Sequence, residues 1–177
     1  MHTRSHRDVA CEREVRSLAG KRKAGTQAPS IASSECGCDL DILPTLTGYL
    51  LRRAQVAVYQ DFARATGALD VRPAQFAALV VIGANPGLSQ RALSGALNID
   101  RSGVVMLLDW LETRGLAVRR PSSVDRRTHA VHLTPEGETL LAQLKRTVRA
   151  HDDAVTGSLS PDEKSLLIAL LRRLSHS

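Results

Sequence analysis

Five arginines are concentrated in one short segment, and their guanidinium groups could bind an anion. A single acidic residue, Asp125, accompanies them, whereas a loop that is merely solvated usually carries both signs of charge. The chain of 177 residues has a formal net charge of +6 at pH 7, which also suits a polyanionic partner. The five residues are Arg114, Arg119, Arg120, Arg126 and Arg127.

Other reactive residue types give no indication of catalysis or of metal binding. The six histidines form no HExxH pattern, and Cys11, Cys36 and Cys38 lack the spacing of a CxxC redox pair or a zinc knuckle. No nucleophile or acid–base pair converges, so an enzyme is the weaker alternative, and neither a cofactor nor a metal is expected. The odd cysteine count and the lack of a membrane-length apolar run or a signal-peptide pattern predict a cytoplasmic protein without membrane contact.

The arginine segment overlaps a predicted β-hairpin. Residues 116–120 and 129–133 alternate between apolar and polar side chains, which is typical of two half-buried strands. The loop between them places Arg126 and Arg127 at its tip. A hairpin with a cationic tip is suited to act as a wing against a polyanion.

Two short helices precede this hairpin. Ser89 is placed to cap a helix over 90–97, and Asp100 is placed to cap a second helix over 101–114. The turn between them is short, which is the arrangement of a helix-turn-helix motif. We therefore predict a mainly α fold with a small β-hairpin, a winged helix-turn-helix with terminal dimerisation helices.

Long amphipathic helices are predicted on both sides of this winged lobe, which spans 67–134. Residues 40–66 carry apolar stripes on two sides, and 135–175 hold two leucine-rich helices. This apolar surface exceeds what a small lobe needs, so we expect dimerisation through both segments, with a core within one chain as the alternative. Residues 1–39 show little periodicity and are predicted to be a disordered tail.

Several segments in order resemble the MarR family of transcription regulators. Residues 125–137, DRRTHAVHLTPEG, are similar to that family's wing signature, and NIDRS at 98–102 and LETRGL at 111–116 are similar to its recognition helix. The resemblance extends from about residue 40 to residue 174. It implies a homodimer that binds a palindromic operator in double-stranded DNA, and a small-molecule or redox input that weakens binding.

The residues expected to contact DNA follow from these elements. The N-terminus of the second short helix can approach phosphates, and the wing arginines suit a narrow minor groove. Val105 and Met106 stand where the family often has polar residues, so hydrogen-bonded reading of bases should be sparse. The predicted DNA-binding residues are Ser89, Gln90, Arg91, Arg101, Ser102, Gly103, Val105, Met106, Arg119, Arg126 and Arg127.

A ligand site is predicted between the first two helices. Aromatic and guanidinium side chains there would suit an aromatic carboxylate or its CoA thioester, and residues 49–62 are similar to regulators of aromatic-acid catabolism. Arg72 is an unfavourable helix cap, which indicates either a functional role or a tolerated exposed side chain. The predicted ligand-binding residues are Tyr49, Arg52, Arg53, Val56, Tyr59, Arg72 and Phe76.

The function predicted from the sequence is that of a ligand-responsive transcription regulator. We expect a repressor that an aromatic acid or its CoA thioester releases from operator DNA. One alternative is an architectural DNA-binding protein without a ligand. A second is a redox-responsive regulator, for which residues 43–46 at the start of the first helix lack a cysteine.

Overall fold

The computed structural model describes residues 38–121 and 129–175, which fall into two compact units. One unit contains residues 38–51 and 156–175, and the other contains residues 52–121 and 129–155. The predicted tail therefore lies outside the described residues, apart from its last two positions, and so does the wing tip. The elements are α1 (Thr47–Thr66), α2 (Pro73–Ala84), β1 (Leu88–Ser89), α3 (Gln90–Leu97), α4 (Arg101–Thr113), β2 (Ala117–Pro121), β3 (His129–Leu133), α5 (Pro135–Val155) and α6 (Pro161–Ser175).

The two short helices, α3 and α4, begin where their capping residues predict. The Ser89 hydroxyl accepts a hydrogen bond from the Ala92 N–H at 3.2 Å, and an Asp100 carboxylate oxygen accepts one from the Gly103 N–H at 2.6 Å. The turn between the helices uses Asn98 in the left-handed region, with φ of 50°. These caps satisfy backbone donors that would otherwise be left without partners at each helix start.

The predicted hairpin is present, and a third strand joins it. β2 and β3 pair antiparallel, with Ala117 opposite Leu133, and β1 pairs with the other side of β3, with Leu88 opposite Val131. The sheet order is β1–β3–β2. The periodicity of the sequence does not predict β1, because a strand of two residues is too short to show alternation.

The core of the larger unit draws on helices from both sides of the helix-turn-helix. α5 contributes Leu141 and Leu144 to the core, and α1 contributes the buried residues Phe62 and Thr66. This compact unit therefore takes more of both long helices than the predicted lobe of 67–134. The fully buried apolar side chains include Leu79, Ile82, Leu93, Leu108, Leu111, Val131 and Leu144.

The smaller unit has a different distribution of apolar side chains. No residue of 38–51 or 156–175 is buried. Large apolar side chains are exposed instead, and contiguous patches of this kind on one chain commonly mark contact surfaces. They are Ile42, Leu43, Leu46, Leu51, Leu167, Ile168, Leu170, Leu171 and Leu174.

A helix that spans a membrane must have both sufficient length and sufficient hydropathy. Within the part of the chain that the structure describes, no single helix meets both requirements. Taken together, Thr47–Leu69 and Pro73–Ala84 meet them as one pair bent by 68°.

Gly137, in the first turn of α5, packs directly on the backbone of Leu116. A Cβ atom at this position would lie 2.0 Å from the Leu116 carbonyl oxygen. We expect Gly137→Ala to lower the free energy of unfolding by roughly 2 kcal/mol or more, because backbone must move to admit the methyl group. Urea unfolding followed by circular dichroism would measure this decrease.

Gly95→Ala is the matched control for this substitution. Gly95 is also helical, but a Cβ atom there meets nothing within 4 Å. We expect this variant to be neutral or to raise the free energy of unfolding by about 0.5–1 kcal/mol. Equal effects of the two substitutions would contradict the close packing of α5 on Leu116.

Candidate nucleic-acid interface and ligand cleft

A surface cleft of about 440 Å³ lies where the N-termini of α3 and α4 meet the start of β3. Four of the predicted DNA-binding residues line it, and two of them, Arg91 and Arg101, are exposed cations. The structure thus brings together side chains from two separate helix starts and a strand. The lining consists of Ser89, Gln90, Arg91, Ser94, Arg101, Val104 and His129.

The two helix N-termini at this cleft differ in charge. α3 is capped by the neutral hydroxyl of Ser89, whereas α4 is capped by the carboxylate of Asp100. The N–H of Gly103, and then the hydroxyl of Ser102 at 3.0 Å, lower the pKa of the Asp100 carboxyl, so this cap is charged at neutral pH. The charged cap of α4 would repel an anion, so the N-terminus of α3, whose cap is neutral, is the better place for a phosphate.

One face of α4 is buried and the opposite face is uncovered. Val104, Leu107, Leu108 and Leu111 point into the core. On the other face, Ser102, Met106 and Asp109 are exposed, and Val105 is half-buried. Because the apolar face is fixed in the core, the exposed face has a defined direction relative to the cleft.

Arg119, one of the predicted DNA contacts, is held by two carboxylates of α4. Its guanidinium lies 3.1 Å from Glu112 Oε2 and is hydrogen-bonded to Asp109, while its backbone N–H donates to Glu112 Oε1 at 2.8 Å. The side chain is only 20% exposed. Arg119 therefore ties β2 to α4 and neutralises Asp109 on the uncovered face, so the charge of this predicted DNA contact is balanced within the chain.

Arg114, another member of the arginine cluster, also bonds within the lobe. Its guanidinium donates to the backbone carbonyls of Asp70 at 2.9 Å and Leu69 at 3.4 Å, and it lies over the Trp110 ring at 4.8 Å. These contacts fix the C-terminal end of α4 against the segment that joins α1 to α2. The predicted wing residues Arg126 and Arg127 lie outside the described residues.

A second cleft, of about 530 Å³, lies between α2 and α5. Of the predicted ligand-binding residues, only Phe76 is among those that border it. The ring of Phe76 also packs on that of Phe62, with centroids 6.2 Å apart, which fills space between α1 and α2. The residues that border the cleft are Phe76, Val80, Lys145, Val148, Arg149, Asp152 and Asp153.

The other predicted ligand-binding residues are not brought into this cleft. Arg52, Arg53, Val56 and Tyr59 are exposed along α1, and Tyr49 belongs to the smaller unit. Two apolar stripes on one helix favour a pocket wall, but periodicity does not show which neighbour each stripe faces. Lys145 and Arg149 lie on α5, far along the chain from α2, so no local sequence pattern could have identified the cleft that they border.

Arg72 occupies the N-cap of α2, as predicted from the sequence. Its guanidinium cannot accept a hydrogen bond, but its backbone N–H donates to Gln75 Oε1 at 2.7 Å. Gln75 thus provides one half of a capping box and offsets part of the unfavourable cap. This contact supports the alternative that Arg72 is a tolerated exposed arginine. The sequence signal for the capping contact was the glutamine at the third helical position, Gln75.

A buried histidine with no signal in the sequence pattern joins α1 to α5. His151 Nδ1 lies 2.9 Å from Asp61 Oδ2, and its ring meets the edge of Phe62 with centroids 5.7 Å apart. The hydrogen bond from His151, followed by that from Arg64, lowers the pKa of the Asp61 carboxyl. This pair holds α5 in place next to the residues that border the α2–α5 cleft.

Known proteins are similar to this chain in sequence and in architecture. A sequence profile of the MarR family matches residues 69–128. The chain is 43% identical over 128 residues to a Thauera aromatica protein named as the putative transcriptional regulatory protein for the hcr operon, a match covering 72% of this chain and 77% of that protein. The chain belongs to the MarR family of transcriptional regulators.

Solved structures of MarR-type regulators match in three dimensions. The repressor CouR bound to a 23-mer DNA duplex has a TM-score of 0.75 and 38% identity, covering 78% of this chain and 98% of CouR. CouR bound to p-coumaroyl-CoA has a TM-score of 0.73 and 36% identity, and the match covers 77% of this chain and 96% of CouR. The family and the winged helix-turn-helix fold predicted from the sequence are confirmed, and the enzyme alternative is wrong because these relatives regulate transcription.

In this MarR-family chain, removal of the Arg119 charge should expose Asp109 to the DNA backbone. We expect Arg119→Met to weaken DNA binding at least about tenfold, because like charges brought together at an interface are costly. Addition of Asp109→Asn should recover most of the affinity. Fluorescence anisotropy would measure binding, and melting temperatures would show that each variant is folded.

Asp109→Asn alone is the control for this pair. It should bind DNA at least as tightly as the wild type, because it removes an acidic charge from the uncovered face of α4. If the double variant binds no better than Arg119→Met, Arg119 does not act by neutralising Asp109.

Proposed function

We propose that this MarR-family chain is a homodimeric repressor that acts in the cytoplasm. It binds a palindromic operator in double-stranded DNA and is released by an aromatic acid or its CoA thioester. The observation that carries this proposal is the cleft that joins the N-termini of α3 and α4, where Arg91 and Arg101 lie beside the uncovered face of α4. The structure of CouR bound to a 23-mer DNA duplex supports the DNA-binding part of this proposal.

The DNA contacts divide between the backbone and the bases. The N-terminus of α3, with Ser89, Gln90 and Arg91, is suited to a phosphate because its cap is neutral and these three residues line the cleft. Arg101 supplies a second cation at the same cleft. The exposed face of α4, with Ser102, Val105 and Met106, would enter the major groove, and the wing residues Arg126 and Arg127 would enter the adjacent minor groove.

Gly103 has a structural role in this interface rather than a phosphate contact. A Cβ atom at residue 103 would lie 3.0 Å from Asp100 Oδ1, so the absence of a side chain lets the capping carboxylate approach closely. The cap in turn orients the first turn of α4. Gly103 therefore contributes to binding through the geometry of the helix start.

Dimerisation is proposed for the smaller unit because its described segments have no buried residue of their own. These segments expose nine large apolar side chains, chiefly on α6 and before α1. A second copy of the chain can cover such surfaces symmetrically, and obligate dimer interfaces are rich in apolar residues. Two recognition helices in one dimer would account for a palindromic operator.

The effector is proposed to bind in the α2–α5 cleft. Phe76, Val80 and Val148 offer apolar walls for an aromatic ring, and the volume of about 530 Å³ is in the range of small-molecule sites. Lys145 and Arg149 lie one helical turn apart, whereas the acidic residues of the cleft follow them along α5. The carboxylate or the acyl-CoA end would therefore face Lys145 and Arg149. The complex of CouR with p-coumaroyl-CoA supports the class of effector.

Alternatives to this effector site follow from the sequence. Arg72 remains a predicted partner for the anionic group, in a site that would use α1. A redox input would have to use Cys38 among the described residues, since Cys11 and Cys36 lie outside them. Substitutions at Arg72 and Arg149 distinguish the first alternative from the α2–α5 cleft.

DNA binding should fall steeply with salt concentration, because several arginines per chain would displace counterions. Arg91→Ala and Arg101→Ala should each lower the slope of log affinity against log salt by about 0.9 for every phosphate that the variant no longer neutralises. The slopes would be measured by fluorescence anisotropy with a duplex selected from a random library. This duplex is a 23-mer, the length bound in the CouR complex. Sedimentation of the protein–DNA complex should show two protein chains bound to each duplex.

Arg146→Ala is the control for these slopes, since Arg146 lies on α5 and does not line the cleft. It should leave both the affinity and the slope unchanged. If no sequence is enriched from the library, the proposed DNA-binding function is wrong. If the slopes of both cleft variants match the wild type, the interface lies elsewhere.

Ligand binding should raise the melting temperature of the wild type in the presence of p-coumaroyl-CoA or p-coumarate. Arg149→Ala and Lys145→Ala should abolish most of this rise, because a charged hydrogen bond contributes about 1.5–3 kcal/mol to binding. Arg146→Ala, whose side chain does not border the cleft, should keep it. A rise that persists in Arg149→Ala but disappears in Arg72→Ala would move the site to α1 and α2.

A further inference from the structure

Met106 is the most exposed large apolar side chain among the described residues. It is 74% exposed, whereas the next most exposed, Ile42, is 59% exposed and lies in the unit proposed to dimerise. Met106 stands in the middle of α4, on the face opposite its buried leucines. In the free protein this methionine does not stabilise the fold, because its apolar surface stays in contact with water.

The remainder of this face offers few groups that could read a purine. Bidentate recognition of guanine requires arginine or lysine, and that of adenine requires asparagine or glutamine. Residues 102–113 contain none of these four types, and Arg101 borders the cleft at the start of the helix. The Ser102 hydroxyl donates to Asp100, and the Asp109 carboxylate is bonded to Arg119.

An apolar contact is therefore the strongest interaction that the centre of α4 can form in a major groove. Thymine is the base that presents a methyl group there, and cytosine lacks this group. The side chain of methionine is unbranched and polarisable, so it can adapt to the position of a methyl group.

We propose that Met106 determines sequence specificity by packing on the 5-methyl group of a thymine at the centre of each operator half-site. This inference rests on the proposed DNA-binding function and adds the chemical group that is read. Burial of one methyl group should change affinity about fourfold per half-site, and roughly 15-fold when both half-sites are changed.

The test replaces individual thymines by deoxyuridine, which removes only the methyl group. The probe is the tightest 23-mer duplex selected from a random library by the wild type. We expect one symmetric pair of thymines at which deoxyuridine weakens wild-type binding by about fourfold per half-site. Met106→Ala should bind the thymine duplex as weakly as the wild type binds the doubly substituted duplex, and its affinity should not fall further on substitution.

Met106→Leu serves as the rescue control, because leucine restores an apolar side chain of similar size. It should retain most of the sensitivity to deoxyuridine. Since residue 106 is exposed, all three proteins should have the same melting temperature.

Two results would overturn the inference while leaving DNA binding in place. One is wild-type binding to the selected duplex that no deoxyuridine substitution weakens. The other is Met106→Ala binding that the same substitution weakens as much as it weakens the wild type. If no sequence is enriched from the library, both the proposed DNA-binding function and this inference are wrong.

Discussion

The burial of one face of α4 is the constraint on which the interface depends. Leu108 and Leu111 are fully buried in the core, so the helix cannot rotate without exposing them or creating cavities. Arg119 and Arg114 add polar contacts at the C-terminal half, to β2 and to the segment before α2. The direction of Met106 and the position of the wing strands are consequences of this packing.

The same core connects the proposed effector cleft to α4. Leu79 of α2 and Leu144 of α5 are fully buried with the leucines of α4, while Phe76 and Arg149 of the same two helices border the cleft. A ligand that separated α2 from α5 would disturb packing that α4 shares, because close-packed interiors transmit small displacements. In the proposed repressor, this connection would couple ligand binding to the release of DNA.

Positive charge in this chain serves two purposes that composition does not separate. Arg119 and Arg114 bond to carboxylates or carbonyls within the lobe, whereas Arg91 and Arg101 border the open cleft. The first group sets the geometry of α4 and cancels an acidic charge on its uncovered face. The second group provides the charge that can meet phosphates, so the count of 24 lysines and arginines overstates the cations available for DNA.

The sequence alone determined the local elements, whereas only the tertiary structure decided how distant side chains pair. Ser89, Asp100 and the alternation of the hairpin act over a few residues, which is why α3, α4, β2 and β3 lie where predicted. The bond between His151 and Asp61 joins residues 90 positions apart, and the cleft between α2 and α5 depends on a similarly distant approach. Periodicity states which side of a helix is apolar but not which partner it meets, because that choice is made by the packing of the whole core.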